Sequence, residues 1–431
     1  MAWGFVFIAG FGFDEGMRTR RLALVVTVLM AMTMAACGTD DGVAEPTPSP
    51  TPDETASPTP EASPEPDPMP EPTPEPEPEP AEPDPIADWT LEQQVGALFM
   101  VGAPVGGVSD LTMYLVTERH AGGIFLHGRS SVGTQVIAEM VATYADAATT
   151  PVPLLVATDQ EGGNVQVLSG PGFSQMPTAT RQATDPQLAA SAAAWGQELR
   201  AAGVNVNFAP VADLVAPAYL TVNDPITRWY RHFGTTFDEV FAGAEAFAAG
   251  MQAGGVAPTL KHFPGLGRVV GNPDFVTGVT DTATTADDEM VIIFLDLLAA
   301  LDGATPAPWV MMSTAVYALI DPDEPAAFSP VVVGLLRDAG FEGIVVTDDL
   351  AAARQVAAWS PGDRAIDSIA AGVDVVLFSA DSTHVPEAMD AVLDRARTDE
   401  TFRARVEESA RRVAIAAEAF VPAGGGCACQ N

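Results

Sequence analysis

From Trp89 onward, short apolar runs alternate with Ala-rich stretches of mixed polarity, and most of the runs stop at a polar or charged residue. The runs are Gly96–Gly102, Gly122–His127, Pro153–Asp159, Val204–Asp213, Ala257–His262, Trp309–Thr314, Gly343–Asp349 and Val373–Ser379. Runs that are apolar nearly throughout suit parallel strands covered on both faces, whereas strict alternation would mark a sheet with one wet face. The stretches between them predict helices over 185–202, 237–253, 286–301, 330–339 and 361–371, with one long helix over 385–420 closing the chain. Eight strand–helix units in succession predict an α/β fold, a (β/α)8 barrel of the TIM type, over residues 88–421. An open doubly wound sheet is the alternative, but no Gly-rich dinucleotide fingerprint follows the first run.

In such a barrel, chemistry collects where the strands end. The ends here carry Asp159-Gln160-Glu161, Asp213, Lys261-His262, Thr314 and Asp348-Asp349. Polar groups at one end of otherwise apolar strands are difficult to explain as packing. A carboxylate at a strand tip is suited to open a glycosidic bond as a nucleophile. The plainer role for Asp159 and Asp348 is capping of the following helix; for Lys261 and His262 it is a salt-bridged rim.

The first 87 residues are of a different kind. Met17-Arg18-Thr19-Arg20-Arg21 is a basic segment ahead of an apolar run from Leu22 to Ala36, too short to span a membrane and fitting a secretory signal. It ends in Met34-Ala35-Ala36-Cys37, similar to a bacterial lipoprotein cleavage site, which would place diacylglycerol on Cys37 as the mature N-terminus. Met17 is then a possible start within the leader 1–37, and an ordinary secretory signal with an incidental cysteine is the alternative. Residues 38–87 form a Pro/Glu/Thr-rich stretch with 14 acidic residues, no basic ones and little to bury, so a disordered tether is expected. At about 3.1 Å per residue in polyproline II, 40 residues would reach on the order of 120 Å, enough to carry a domain from a membrane into a cell wall. A spacer of no particular reach is equally compatible.

Much of the net charge of −37 is concentrated in that tether, and an acidic chain argues against a nucleic-acid partner. Three cysteines are too few for a disulfide scaffold. Cys427 and Cys429 fall in a Gly-rich tail, 422–431, read as disordered, with a metal site or a strained bridge as alternatives.

Six segments, in order, resemble the bacterial β-N-acetylglucosaminidases of glycoside hydrolase family 3, and together they span nearly all of 89–420. They are Leu91 to Gly102, Asp159-Gln160-Glu161-Gly162-Gly163, Asn207 to Asp213, Arg231-His232-Phe233-Gly234, Lys261 to Gly267 and Val345 to Leu350. The resemblance implies a retaining exo-glycosidase that removes terminal β-N-acetylglucosamine and needs no cofactor or metal. It implies Asp348 as the nucleophile, Asp159, Lys261 and His262 on the sugar hydroxyls, Arg231 as a further charged donor, and Asp349 as the anchor of its turn. Three segments depart from the family pattern. The loop that should hold an Asp-x-His acid/base dyad reads Arg268-Val269-Val270-Gly271-Asn272-Pro273-Asp274-Phe275 and has no histidine. Thr314 stands where a histidine is common, and Asn164 and Val167 replace two arginines. Asp274 is the nearest substitute for the acid/base, provided burial raises its pKa. Pro273 would stiffen its turn and Phe275 would supply an apolar wall; a loop-capping aspartate is the alternative.

The expected partner is an amino-sugar glycan of cell-wall origin, met by a monomer outside the cytoplasm and lipid-anchored to the membrane of a bacterium. A β-glucosidase or another β-hexosaminidase is the neighbouring reading within the enzymes. A catalytically degenerate glycan-binding lipoprotein is the reading outside them, and a solute-binding lipoprotein would normally show two lobes instead.

Overall fold

The computed structural model describes residues 84–421. The leader with Cys37, the tether up to residue 83 and the tail with Cys427 and Cys429 lie outside the described residues. Eight parallel strands form the central sheet: β1 (Phe99–Pro104), β2 (Gly123–His127), β3 (Leu155–Thr158), β4 (Val206–Asn207), β5 (Ala257–Phe263), β6 (Trp309–Met312), β7 (Val345–Thr347) and β8 (Val376–Phe378). Their order is β7-β6-β5-β4-β3-β2-β1-β8, and a bridge from Val346 to Val375 nearly closes the ring. This is the expected barrel. Every residue of β3, β5, β6, β7 and β8 is buried, as the nearly unbroken apolar runs required.

The helices form the outer ring, and their starts follow the sequence chemistry. Thr236 and Glu239 make a reciprocal capping box for Phe237–Ala253, while Ser329 and Ser360 cap helices that begin with proline at Pro330–Asp338 and Pro361–Ala371. The long closing helix is instead two, Val385–Thr398 and Glu400–Glu418. Asp399 sits between them in an extended conformation and accepts a hydrogen bond from Phe402 N, so one residue ends a helix and caps the next. Two helices absent from the sequence expectation, Asp110–Glu118 and Thr134–Ala147, complete the ring. The first buries only Thr112, Leu115 and Val116, and the second starts at Gly133 with no side-chain cap. Ser109 caps the first, while the second depends on packing of Ile137, Met140, Val141 and Tyr144.

Two strands moved from their predicted places. The segment from Leu91 to Ala97 is a capped helix, so β1 starts at Phe99. Of the run 204–213 the continuous strand is Val206–Asn207; it is interrupted at Pro210, which has no N–H to give, and pairing with β5 resumes at a bridge from Val211 to Lys261. At the near end, residues 84–87, expected within the tether, form a turn in which Ile86 is buried and Asp84 pairs with Arg411.

Candidate active site

Of the cavities among the described residues, two set size against chemistry. The larger, about 750 Å³, includes Ala257 and Trp309 at the starts of β5 and β6 and is walled mainly by Leu, Ala, Pro and Phe. The smaller, about 330 Å³, opens at the strand ends and is lined by Asp159, Arg231, Lys261, His262, Asp274 and Asp348. Size favours the first and chemistry the second. All six protein-derived site candidates from the barrel converge on the smaller cavity, from four segments more than 180 residues apart at the extremes. Phe125 and Phe208 stack with ring centroids 5.3 Å apart and supply part of its apolar lining, with Met311 and Leu377.

One wall is a buried charge network. Lys261 Nζ donates to Asp159 Oδ1 at 2.7 Å and lies 2.7 Å from Glu161 Oε1. Arg231 grips the same Glu161 with both prongs, Nε to Oε2 at 2.9 Å and Nη2 to Oε1 at 2.8 Å, and gives Nη1 to the Pro225 carbonyl. Burial alone would raise the Glu161 carboxyl, but Arg231 and Lys261 outweigh it and hold it down to about 2. Burial would likewise lower the Lys261 ammonium, and the carboxylates of Asp159 and Glu161 hold it above the usual lysine value. Arg231 is therefore largely committed to Glu161, a residue seen in the sequence only as part of the polar strand end Asp159-Gln160-Glu161. Asp159, whose side chain is 32% exposed, keeps its Oδ2 free of protein partners among the described residues.

His262 is fixed from behind. Its Nδ1 lies 2.7 Å from Asp213 Oδ2, while Asp213 Oδ1 accepts from the backbone N–H groups of His262 and Leu266. This leaves Nε2 facing Arg231 Nη2 at 3.4 Å. Asp213 thus locks both the imidazole and the turn that follows β5. Gly267 in that turn could not be another residue, since a Cβ there would collide with the Leu214 carbonyl.

Removing Glu161 should expose how much the network matters. Glu161→Ala leaves two buried cations without their shared partner, and a loss of ~3–5 kcal/mol of stability is expected in denaturant unfolding. A loss below ~1 kcal/mol would mean that the cations relax into water freely.

Across the cavity stand the two carboxylates that matter most. Asp348 follows β7; its N–H donates to the Met312 carbonyl at 3.0 Å, and its Oδ1 accepts from Asp349 N at 2.8 Å. Asp349 also lines the cavity, and it takes N–H groups from Ser379 at 2.8 Å and Ala351 at 3.1 Å, so it ties the turn after β7 to the end of β8. Asp274 comes from the loop after β5. The residue as a whole is exposed at the cavity edge, but the protein packed around its carboxyl, then the nearby Asp348 charge, pushes that group up to about 7, against the opposing pull of Arg231 and His262. Phe275 does not provide that burial as the sequence suggested: it lines the cavity mouth yet is 68% exposed.

The loop carrying Asp274 is pinned on both sides without any ligand. Asn223 Nδ2 reaches the carbonyls of Leu266 and Val269 at 2.7 and 2.9 Å. Arg354 N and Gln355 N bond the Asp274 and Pro273 carbonyls at 3.3 and 3.0 Å. The Gln355 amide closes a reciprocal pair with Val279, accepting from its N–H at 2.9 Å and donating to its carbonyl at 3.2 Å. Asn272 Oδ1 accepts from Asp274 N at 2.9 Å. Nothing in the sequence marked Asn223 or Gln355, because each acts on backbone groups far away in the chain. Thr314 is buried with its hydroxyl unpartnered among the described residues and does not line the cavity. No group of three or more His, Cys, Asp or Glu side chains able to hold a metal occurs among the described residues.

Comparison with known proteins bears on what such a cavity does. The family model for the glycosyl hydrolase family 3 N-terminal domain matches residues 90–416. A beta-hexosaminidase of Stenotrophomonas maltophilia is 36% identical over 285 residues, spanning 63% of this chain and 80% of that protein. The beta-hexosaminidase LpqI of Mycobacterium tuberculosis is 31% identical over 327 residues, spanning 72% of this chain and 79% of that one. Among solved structures, the beta-N-acetylhexosaminidase from Beutenbergia cavernae superposes with a TM-score of 0.74 at 51% identity, covering 77% of this chain and 99% of that chain.

Proposed function

From a chain that belongs to glycoside hydrolase family 3, we propose a retaining mechanism in which Asp348 forms a covalent glycosyl-enzyme and Asp274 serves as acid and then base. The coarser activity is that of the family members it matches: it is a β-N-acetylhexosaminidase-like glycoside hydrolase, acting on terminal β-N-acetylglucosamine.

The observation that carries the proposal is that Asp274 and Asp348 line one cavity, with the Asp348 charge helping to raise the Asp274 carboxyl. Asp274, pushed up to about 7, keeps a proton near neutral pH. That proton can pass to the glycosidic oxygen as the leaving group departs, while the Asp348 carboxylate attacks the anomeric carbon. Ester formation then removes the negative charge that helped to raise Asp274. Its carboxyl falls toward the ordinary range, and it becomes the base that takes a proton from the attacking water. The charge state of one group thus sets the role of the other.

Asp159, with one oxygen free, and the third proton of the Lys261 ammonium are the groups placed to hold sugar hydroxyls, with His262 and Arg231 beside them. The Lys-His wall is stiffened by Glu161 and Asp213, so these donors need little reorganisation when sugar binds. We further read the natural substrate as a wall-derived glycan, met at the membrane surface by an enzyme lipidated on Cys37. The basic and apolar leader, the small residues before Cys37 and the acidic tether support that placement.

Aryl glycosides test the reading. The aryl β-N-acetylglucosaminide should be cleaved at least ~10-fold faster in kcat/KM than the matching β-glucoside, about 1.4 kcal/mol of discrimination. The reverse preference would make the enzyme a β-glucosidase. Failure to turn over either substrate would favour a glycan-binding protein that kept the barrel and lost catalysis.

A further inference from the structure

Resting on the acid role just given to Asp274, the leaving group must lie beside Asp274, at the mouth of the cavity. We propose that Phe275, with Tyr230 from the neighbouring loop, forms an aglycone subsite that receives the apolar face of a second pyranose, β-linked to the sugar inside. Phe275 directly follows Asp274 and lines the same cavity as Asp348, yet 68% of it is exposed. Its backbone is fixed, with Phe275 N bonded to the Asn272 carbonyl at 3.0 Å and the Asp274 carbonyl held by Arg354 N. The ring is therefore presented to solvent from an anchored turn. The valines flanking this turn, Val270 and Val276, are exposed too, at 58% and 45%.

Tyr230 makes the second wall. It precedes Arg231, a cavity-lining residue, and is 58% exposed. It is held in the left-handed region with φ at 57°, where a bulky residue is strained. Strain of that kind collects at ligand clamps, where the surrounding structure enforces it. The two loops are joined by Asp224 N to the Val270 carbonyl at 3.1 Å and by the Asn223 amide.

The chemistry of the mouth selects the occupant. A pyranose offers a face of C–H groups to an aromatic ring while its hydroxyls stay in water around the rim. Phe275, Ala352 and Ala380 give the cavity an apolar strip beside the charged groups that hold the sugar inside. Binding energy gained there is realised only when the substrate carries the second sugar, so the subsite favours saccharide over small leaving groups.

The test compares kcat/KM for a β-1,4-linked N-acetylglucosamine disaccharide and for the methyl β-glycoside of the same sugar. Phe275→Ala should lower the disaccharide value about tenfold and leave the methyl glycoside within about twofold. Phe275→Trp should preserve the disaccharide preference. Tyr230→Asn, which keeps a residue tolerant of the left-handed conformation, should also lose selectively on the disaccharide. Equal losses on both glycosides, or an unchanged disaccharide value in Phe275→Ala with normal wild-type turnover, would overturn the subsite alone. A wild-type enzyme inactive on every N-acetylglucosaminide would overturn the glycosidase reading and take the subsite with it.

Discussion

Asp348→Ala should lower turnover of an aryl N-acetylglucosaminide by at least ~10³-fold, the scale of loss seen when a covalent nucleophile is removed. Folding should be nearly unaffected. The Asp348 side chain carries one local bond, to Asp349 N, while the turn itself is held by Asp349 and by backbone contacts to Met312. A second consequence follows from electrostatics. Asp348 is the main charged group raising the Asp274 carboxyl, so in the variant Asp274 should titrate closer to an ordinary carboxylate, readable by NMR or a pH titration of stability. Activity within about tenfold of the wild type would remove Asp348 from the nucleophile's place.

Asp274→Ala should separate substrates by leaving group. Cleavage of a disaccharide, whose alkoxide leaves only with a proton, should fall by ~10²–10⁴-fold. An activated phenol departs without help, so formation of the glycosyl-enzyme from an aryl glycoside should suffer much less. The intermediate should then accumulate for want of a base, and azide, an anion that needs no deprotonation, should restore turnover. The wild-type kcat/KM should fall as pH rises through about 7, where Asp274 loses its proton. That limb should flatten in Asp274→Ala on activated substrates.

The same group predicts a stability slope. Its folded-state value lies above the ordinary 3.8, so between 3.8 and about 7 the folded protein holds a proton that the unfolded chain has released. This contribution is complete at low pH and is lost as pH rises through about 7, so Asp274→Asn should gain stability relative to the wild type above neutrality. Equal loss on good and poor leaving groups, without azide rescue, would leave Asp274 a structural residue.

The barrel was legible because its strands are buried on both faces, and runs such as Gly122–His127 and Ala257–His262 carry that burial in their composition. The reactive ends were legible because a charged residue has no packing reason to terminate such a run. Helices were readable where capping residues or strong propensity marked them, as at Thr236, and were missed at Asp110–Glu118, a short helix that Ser109 caps but that carries little apolar periodicity. Asp399 was read through as helix because aspartate within a polar, Arg-rich stretch looks like solvated surface; only its extended backbone shows the cap. The supporting groups were the least readable. Glu161, Asp213, Asn223 and Gln355 act across 43 residues of chain or more on side chains or backbone atoms, and no local pattern encodes that distance. Phe275 was placed in the right loop but given the wrong surroundings, since sequence does not say which way a loop residue faces.

The most direct measurement is to find the residue that carries the sugar. An activated fluoro-sugar donor of N-acetylglucosamine, slow to leave the enzyme, should label the protein covalently, and tryptic digestion should place the added mass on the fragment 338–354. Fragment-ion spectra should localise it to Asp348 and not to Asp349, and the same label should build up faster relative to its decay in Asp274→Ala. A label on any other carboxylate, or normal turnover with no covalent adduct and inversion at the anomeric carbon, would contradict the account.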